Sequence, residues 1–294
     1  MKRILITGAT GNVGLETIRF LYKNNTTNQI IAGVRNIGKA KEIFIDYPGL
    51  NFITFDFEQT DNFNTALDNI DTIFILRPPH ISDIPTYFKP FIEKIRDKRI
   101  HQIVFLSVQG AEKSKIIPHT KIEKLIEESG IDHIFLRPGY FMQNLTTTLI
   151  QDIQLKRKII LPAGDAKFNW IDIENIGEIA ALMLEDFAIH KNQTIELTGN
   201  ECENFSTVTN LINEVITDKI EYYNVNPFKF YRIKKKEGNP TGMILVMIML
   251  HFLPRFQKVP DISDSYEKLT GKKPTTLREF ISREKNKFDT LVIS

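Results

Sequence analysis

Six short apolar runs, RILIT, QIIAGV, NFITFD, TIFIL, QIVFLS and HIFLRP, punctuate the first half of the chain and are separated by stretches that can each hold a helix. A strand that is apolar along its length has no face suited to water and must be covered on both sides. Helices alternating with such strands supply those covers. The rhythm therefore predicts an α/β fold, a Rossmann-type doubly wound parallel sheet. With 294 residues, 42% of them apolar, the chain can bury a substantial core.

Past residue 156 the rhythm loosens. RKIILPAG reads as another strand, and IDIENIGEIAALML sets Ile173, Ile176, Ile179, Ala180 and Met183 at helical spacing. That spacing predicts a helix over about 173–186 that packs back on the Rossmann sheet. QTIELTG, a helix from about Phe205 to Ile216 and KIEYYNV predict a smaller mixed subdomain. The expected division is a Rossmann domain over 1–155 and a C-terminal, substrate-binding subdomain over 156–294.

The most apolar stretch, TGMILVMIMLHFLP at 241–254, follows KKK at 234–236. It is shorter than the about 20 residues that a membrane-spanning helix needs, so no membrane insertion is expected. A buried helix forming a pocket wall or lid is the main reading, its methionines adapting to an irregular apolar ligand. A membrane-surface helix and a dimer contact are the alternatives, which leaves a homodimer open.

Composition narrows the function classes. Lys and Arg total 38 against 36 for Asp and Glu, with no long basic block, so no nucleic-acid partner is expected. The single cysteine, Cys202, excludes an intrachain disulfide and a cysteine metal site. His80, His101, His133, His190 and His251 share no spacing with carboxylates, so no metal is expected. A strand beginning by Lys2 leaves no room for a signal peptide, and the expected location is cytoplasmic.

The segment ITGATGNVG, residues 6–14, follows the first strand and opens a helical pattern. In that setting Gly8 makes the tight turn, Gly11 lets the backbone approach a pyrophosphate, and Gly14 allows close helix-to-strand packing. The N–H groups at the helix start, around Thr10, Asn12 and Val13, then face the phosphates. The Gly-x-x-Gly-x-x-Gly spacing resembles that of the short-chain dehydrogenase superfamily. At the end of the second strand stands Arg35, where an acidic residue would bind a ribose hydroxyl and a basic one a 2′-phosphate. NADP(H) is thus preferred over NAD(H).

A short-chain dehydrogenase of the usual kind pairs a serine with Tyr-x-x-x-Lys. This chain keeps Ser107 after the fifth strand but offers HTKIEKLIEESG at 119–130, where both the tyrosine and the lysine are absent. Pro118 suits a helix start and Gly130 a helix stop. Ile122, Leu125 and Ile126 form the expected buried stripe, and Glu123, four residues after His119, is placed to reach back and favour its protonated form.

LSVQGA, HTKIEKLIEESGI, FLRPGYFMQNL, WIDIENIGEIAALML and LTGKKPTTLREFI together resemble the NmrA-like family of atypical short-chain dehydrogenases, which includes type 2 quinone oxidoreductases. The resemblance implies NADPH binding, with Asp56 near the adenine, Leu76, Arg77 and Pro78 skirting the nicotinamide, and Ser107 and Pro138 beside them. It implies a small apolar, quinone-like acceptor, with His119 as proton donor or substrate anchor, Ser107 as a catalytic partner, and Gln109, Tyr140, Phe141, Asn144 and Trp170 lining the substrate. Relatives that reduce phenylpropanoids carry lysine where this chain has His119, which sets it apart from them. The competing expectation is a redox sensor that binds the dinucleotide and a protein partner without turnover.

Overall fold

The computed structural model describes residues 1–114 and 117–289, so the last five residues of the expected 156–294 subdomain lie outside the described residues. Its strands are β1 (Arg3–Thr7), β2 (Gln29–Val34), β3 (Asn51–Thr54), β4 (Thr72–Leu76), β5 (Gln102–Leu106), β6 (Asp132–Pro138), β7 (Tyr140–Phe141), β8 (Lys158–Leu161), β9 (Phe168–Ile171), β10 (Gln193–Leu197), β11 (Cys202–Glu203) and β12 (Glu221–Asn224). The chain divides into two compact units, Met1–Pro138 with Ile173–Leu197, and Gly139–Asp172 with Thr198–Ser294.

The first unit is a seven-stranded sheet in the order β10-β6-β5-β4-β1-β2-β3. Every pairing in it is parallel. It is the doubly wound Rossmann-type sheet that the apolar runs predict. Side chains alternate across a strand, so one face carries Leu5, Ile31, Ile73, Ile75, Ile103 and Phe105 in a single buried cluster with Phe57, Phe63, Phe88 and Phe91. On the opposite face the helix Asn12–Lys23 packs against the helix Ile173–Glu185. Gly177 makes that approach: a Cβ there would lie 2.6 Å from Glu16 Cβ.

Two sequence expectations change. QTIEL was expected in the smaller subdomain, but it is β10, hydrogen-bonded in parallel to β6 at the edge of the large sheet. The apolar pattern of a short strand does not encode its pairing partner, and β6 offered an open edge. For the same reason the boundary differs from the expected single break near residue 155: the chain leaves the first unit at Pro138 and returns for Ile173–Leu197.

The second unit holds the sheet β11-β9-β7 and the parallel pair β12-β8. Trp170, Phe205, Phe230, Phe280 and Phe288 are buried in its core. Asn204 caps the helix Phe205–Val215, and Thr276 with Glu279 forms a capping box on Leu277–Arg283. The helix Thr241–Phe252 departs from the reading of a buried wall or lid. Ile244, Met247 and His251 are buried, while Met243, Leu245, Val246, Met249 and Leu250 are exposed. Apolar residues around its whole circumference favour burial on every side, yet tertiary packing covers one stripe.

Candidate functional site

The site is built in the first unit at the C-terminal ends of its strands. Thr7, the last residue of β1, donates its hydroxyl to the Phe74 carbonyl at 3.2 Å and accepts from the Leu76 N–H at 2.8 Å. This clamp brings Leu76 against the turn that follows β1. Gly8 takes φ +59° there, with the place of its absent Cβ 3.4 Å from Leu76 Cβ. The Gly11 N–H closes the turn on the Gly8 carbonyl at 2.9 Å.

Gly14 is the tightest position. A Cβ on it would sit 2.6 Å from the Gly8 carbonyl oxygen and 2.8 Å from Ala9 Cα. Gly11 caps the helix Asn12–Lys23 without a side chain, and the first intrahelical bond runs from the Leu15 N–H to the Gly11 carbonyl. The N–H groups of Asn12, Val13 and Gly14 are therefore left with no intrahelical acceptor, at the positive end of the helix dipole. This is a cradle for an anionic group that approaches backbone, and it fits the pyrophosphate of a dinucleotide.

Arg35 is exposed directly after β2 and pairs with no carboxylate among the described residues. Asn36 follows it and caps the next helix by accepting from the Lys39 N–H. Asp56, two residues past β3, accepts from the Glu58 N–H at 3.1 Å. Ser107, after β5, is buried with its hydroxyl unpartnered among the described residues, while its N–H donates to the Leu136 carbonyl at 2.7 Å. Gln109 donates its N–H to the Pro138 carbonyl at 2.9 Å, and its side chain bonds Glu196. The structure thus brings these residues to one edge of the sheet.

His119 sits at the start of the helix Pro118–Ser129, which ends at Gly130 as its sequence predicts. Its partner is Arg77: Nε donates to His119 Nε2 at 3.3 Å. Arg77 is itself held by Nη1 donating to the carbonyls of Pro78, Pro79 and Ile81 at 2.9, 3.2 and 2.7 Å. An accepting Nε2 puts the ring proton on Nδ1. Burial, reinforced by the neighbouring guanidinium, pushes the His119 pKa down to about 3.

The expected contact from Glu123 back to His119 is replaced. Glu123 takes both oxygens to Arg137 of β6, at 3.0 Å from Nε and 2.8 Å from Nη2. A guanidinium matches a carboxylate at two points, whereas an imidazole four residues away offers one. Arg137 also donates to Glu112 at 2.8 Å and faces Glu196 at 3.6 Å. The Glu123 hydrogen bonds raise the Arg137 pKa, while burial, partly offset by Arg137, raises that of Glu196. Leu125, expected in the buried stripe, is only partly buried; the buried positions of this helix are Ile122, Glu123 and Ile126.

The remaining substrate candidates belong to the second unit. Trp170 is fully buried and donates Nε1–H to the Glu203 carbonyl at 2.8 Å. Tyr140 is buried 4.8 Å from it, ring centre to ring centre, and donates its hydroxyl to His251 Nε2 at 2.9 Å. His251 Nδ1 donates to the Met247 carbonyl at 2.7 Å, and burial holds the ring pKa down at about 4. Core packing accounts for Trp170 and Tyr140; Phe141 and Asn144, which follow Tyr140 in sequence, are half-buried. Sequence reasoning missed the Arg77–His119 and Tyr140–His251 pairs. The cue for the first was Pro78-Pro79, a segment rich in carbonyls and lacking N–H groups, directly after an arginine.

Among characterised proteins, the chain is similar to prestalk A differentiation protein A of Dictyostelium discoideum, 26% identical over 277 residues, covering 94% of this chain and 90% of that protein. It is 24% identical to an NAD(P)H azoreductase of Xenophilus azovorans, covering 94% of this chain and 96% of that one. The NADPH-dependent quinone oxidoreductase of Escherichia coli, solved with NADPH, superposes with a TM-score of 0.84 at 24% identity, over 95% of this chain and 99% of that one, and so has the same fold. The model of the NmrA-like family matches residues 1–281, and the chain belongs to that family.

Proposed function

We propose that the protein is an NADPH-dependent oxidoreductase that transfers hydride to a quinone or related apolar carbonyl acceptor. The observation that carries this reading is the Gly8–Gly14 cradle, where any side chain at position 14 would collide with the Gly8 carbonyl. The similarity to a quinone oxidoreductase and an azoreductase supports the same chemistry. Arg35, exposed and unpaired among the described residues, is the group to meet a 2′-phosphate and select NADPH over NADH. Bound NADPH would supply the hydride.

The residues assign the other roles. His119 is neutral at physiological pH, because burial and Arg77 both oppose a second ring proton. A neutral imidazole is a poor acid, since losing Nδ1–H would leave an imidazolate. His119 therefore acts as substrate anchor rather than proton donor, giving an Nδ1–H hydrogen bond to the acceptor oxygen as negative charge builds there. The reduced oxygen then takes its proton from solvent. Ser107 supplies a second donor, a hydroxyl without a protein partner among the described residues.

The test is a titration with NADPH and NADH, followed by NADPH oxidation across a panel of small quinones. Turnover, with His119→Ala losing rate but keeping NADPH affinity, supports the reading. Tight NADPH binding without oxidation of any quinone defeats it and turns attention to a redox sensor. A pull-down whose bound partner changes between NADP⁺ and NADPH would then establish the sensor.

A further inference from the structure

The second unit carries an exposed apolar surface on the helix Thr241–Phe252. Of the fourteen exposed large apolar side chains among the described residues, eight fall between Phe228 and Phe256. On the helix Thr241–Phe252 and its continuation, Leu245, Val246, Met249, Leu250 and Leu253 recur at three- and four-residue spacing. They form one continuous exposed stripe with Met243, opposite the buried Ile244, Met247 and His251. Leu245 is 54% exposed, Leu250 45% and Phe256 73%. Scattered exposed leucines need no explanation, but a contiguous stripe marks a surface that is covered in use.

Charge says what covers it. The segment 227–258 carries seven cations and one carboxylate, Glu237, which is +6 within a chain of net charge +2. Lys234 is spent internally on Asp152 and Glu237. Lys229, Arg232, Lys235, Lys236, Arg255 and Lys258 remain exposed on the segments that flank the apolar helix in sequence. The helix Pro227–Lys236 packs beside the apolar helix, and Arg255 lies in the turn that continues it. Pairing this face with a second copy would bring two cationic rims together, because a two-fold interface sets each patch against itself. An apolar stripe rimmed by lysine and arginine is instead the pattern of a helix lying in the plane of an anionic bilayer.

We propose that the face built on helix Thr241–Phe252 docks this protein peripherally on an anionic lipid surface. The stripe enters the headgroup boundary and the rim meets lipid phosphates. No helix among the described residues is long and apolar enough to cross a membrane, so the contact is interfacial. The proposal stands independently of the hydride-transfer reading.

Flotation of the full chain with vesicles tests it. Vesicles of phosphatidylcholine with phosphatidylglycerol are expected to bind the protein, vesicles of phosphatidylcholine alone to bind it far less, and added salt to release it. Lys235→Gln with Lys236→Gln should weaken binding about thirtyfold, from about 1 kcal/mol for each basic residue near such a surface. Leu245→Glu with Leu250→Glu should abolish it; because both side chains are exposed, thermal unfolding should stay unchanged, and the lysine pair decides alone if it does not. Equal binding to both vesicle types, no binding to either, or binding undiminished in the lysine pair overturns the proposal. So does sedimentation showing that the leucine pair converts a lipid-indifferent dimer to a monomer.

Discussion

At the residue scale, the proposed substrate anchor is His119, whose protonation is set by its surroundings more than by its type. A histidine of ordinary pKa used as an acid would lose activity as pH rises past about 6.5. With its pKa at about 3, His119 stays neutral, and turnover should be independent of its titration from about pH 5 to pH 8. His119→Ala should lower kcat by about 10²–10³, the usual cost of one donor to a developing oxyanion, with NADPH affinity retained in a parallel titration. Arg77→Met removes the smaller of the two causes of the depressed pKa. The His119 pKa, followed by NMR, should then rise while remaining below its ordinary value, because burial persists.

At the element scale, side chains tie whole strands and helices together. Arg137 fastens β6 to the helix Pro118–Ser129 through Glu123 and to β10 beside Glu196. Arg137→Met would leave the buried Glu123 carboxylate without its cation and should cost about 3–5 kcal/mol in urea unfolding. Arg137→Lys should recover part of that loss, since an ammonium cannot meet both carboxylate oxygens in one plane. In the other unit, His251 ties the helix Thr241–Phe252 to β7 through Tyr140. Its folded pKa of about 4 lies below the unfolded value of about 6.5, so the unfolded chain binds the proton first as pH falls. The stabilisation is complete above about pH 6.5 and is lost on acidification. By pH 4 the loss should reach about 3 kcal/mol, measured by denaturation with His251→Gln as the variant lacking this dependence.

At the scale of the molecule, the two units interleave along the chain. The Rossmann unit recovers Ile173–Leu197 after Gly139–Asp172 has been given to the other. A fragment 1–155 would lack β10 and the helix Ile173–Glu185 that packs on the helix Asn12–Lys23, β5 and β6, exposing apolar surface that Ile176, Ile179 and Ala180 otherwise bury. It should therefore fail to give the cooperative unfolding that is expected of the full chain. Circular dichroism on heating distinguishes the two.

The apolar runs and their spacing determined the parallel sheet, because a strand with no polar face has few ways to be covered. The glycines of ITGATGNVG determined the cradle: position 8 takes a positive φ, and the backbone contacts at position 14 admit no side chain. Local rules likewise set the ends of the helix Pro118–Ser129. What depended on partners distant in sequence was decided by tertiary structure alone. Glu123 had a nearby histidine by spacing, but an arginine fourteen residues away on another element matched it better. QTIEL carried a strand pattern with no address, and the open edge of β6 supplied one. The helix at 241–252 was apolar on all sides, so its sequence favoured burial equally in every direction; packing chose the side to cover and left the other exposed.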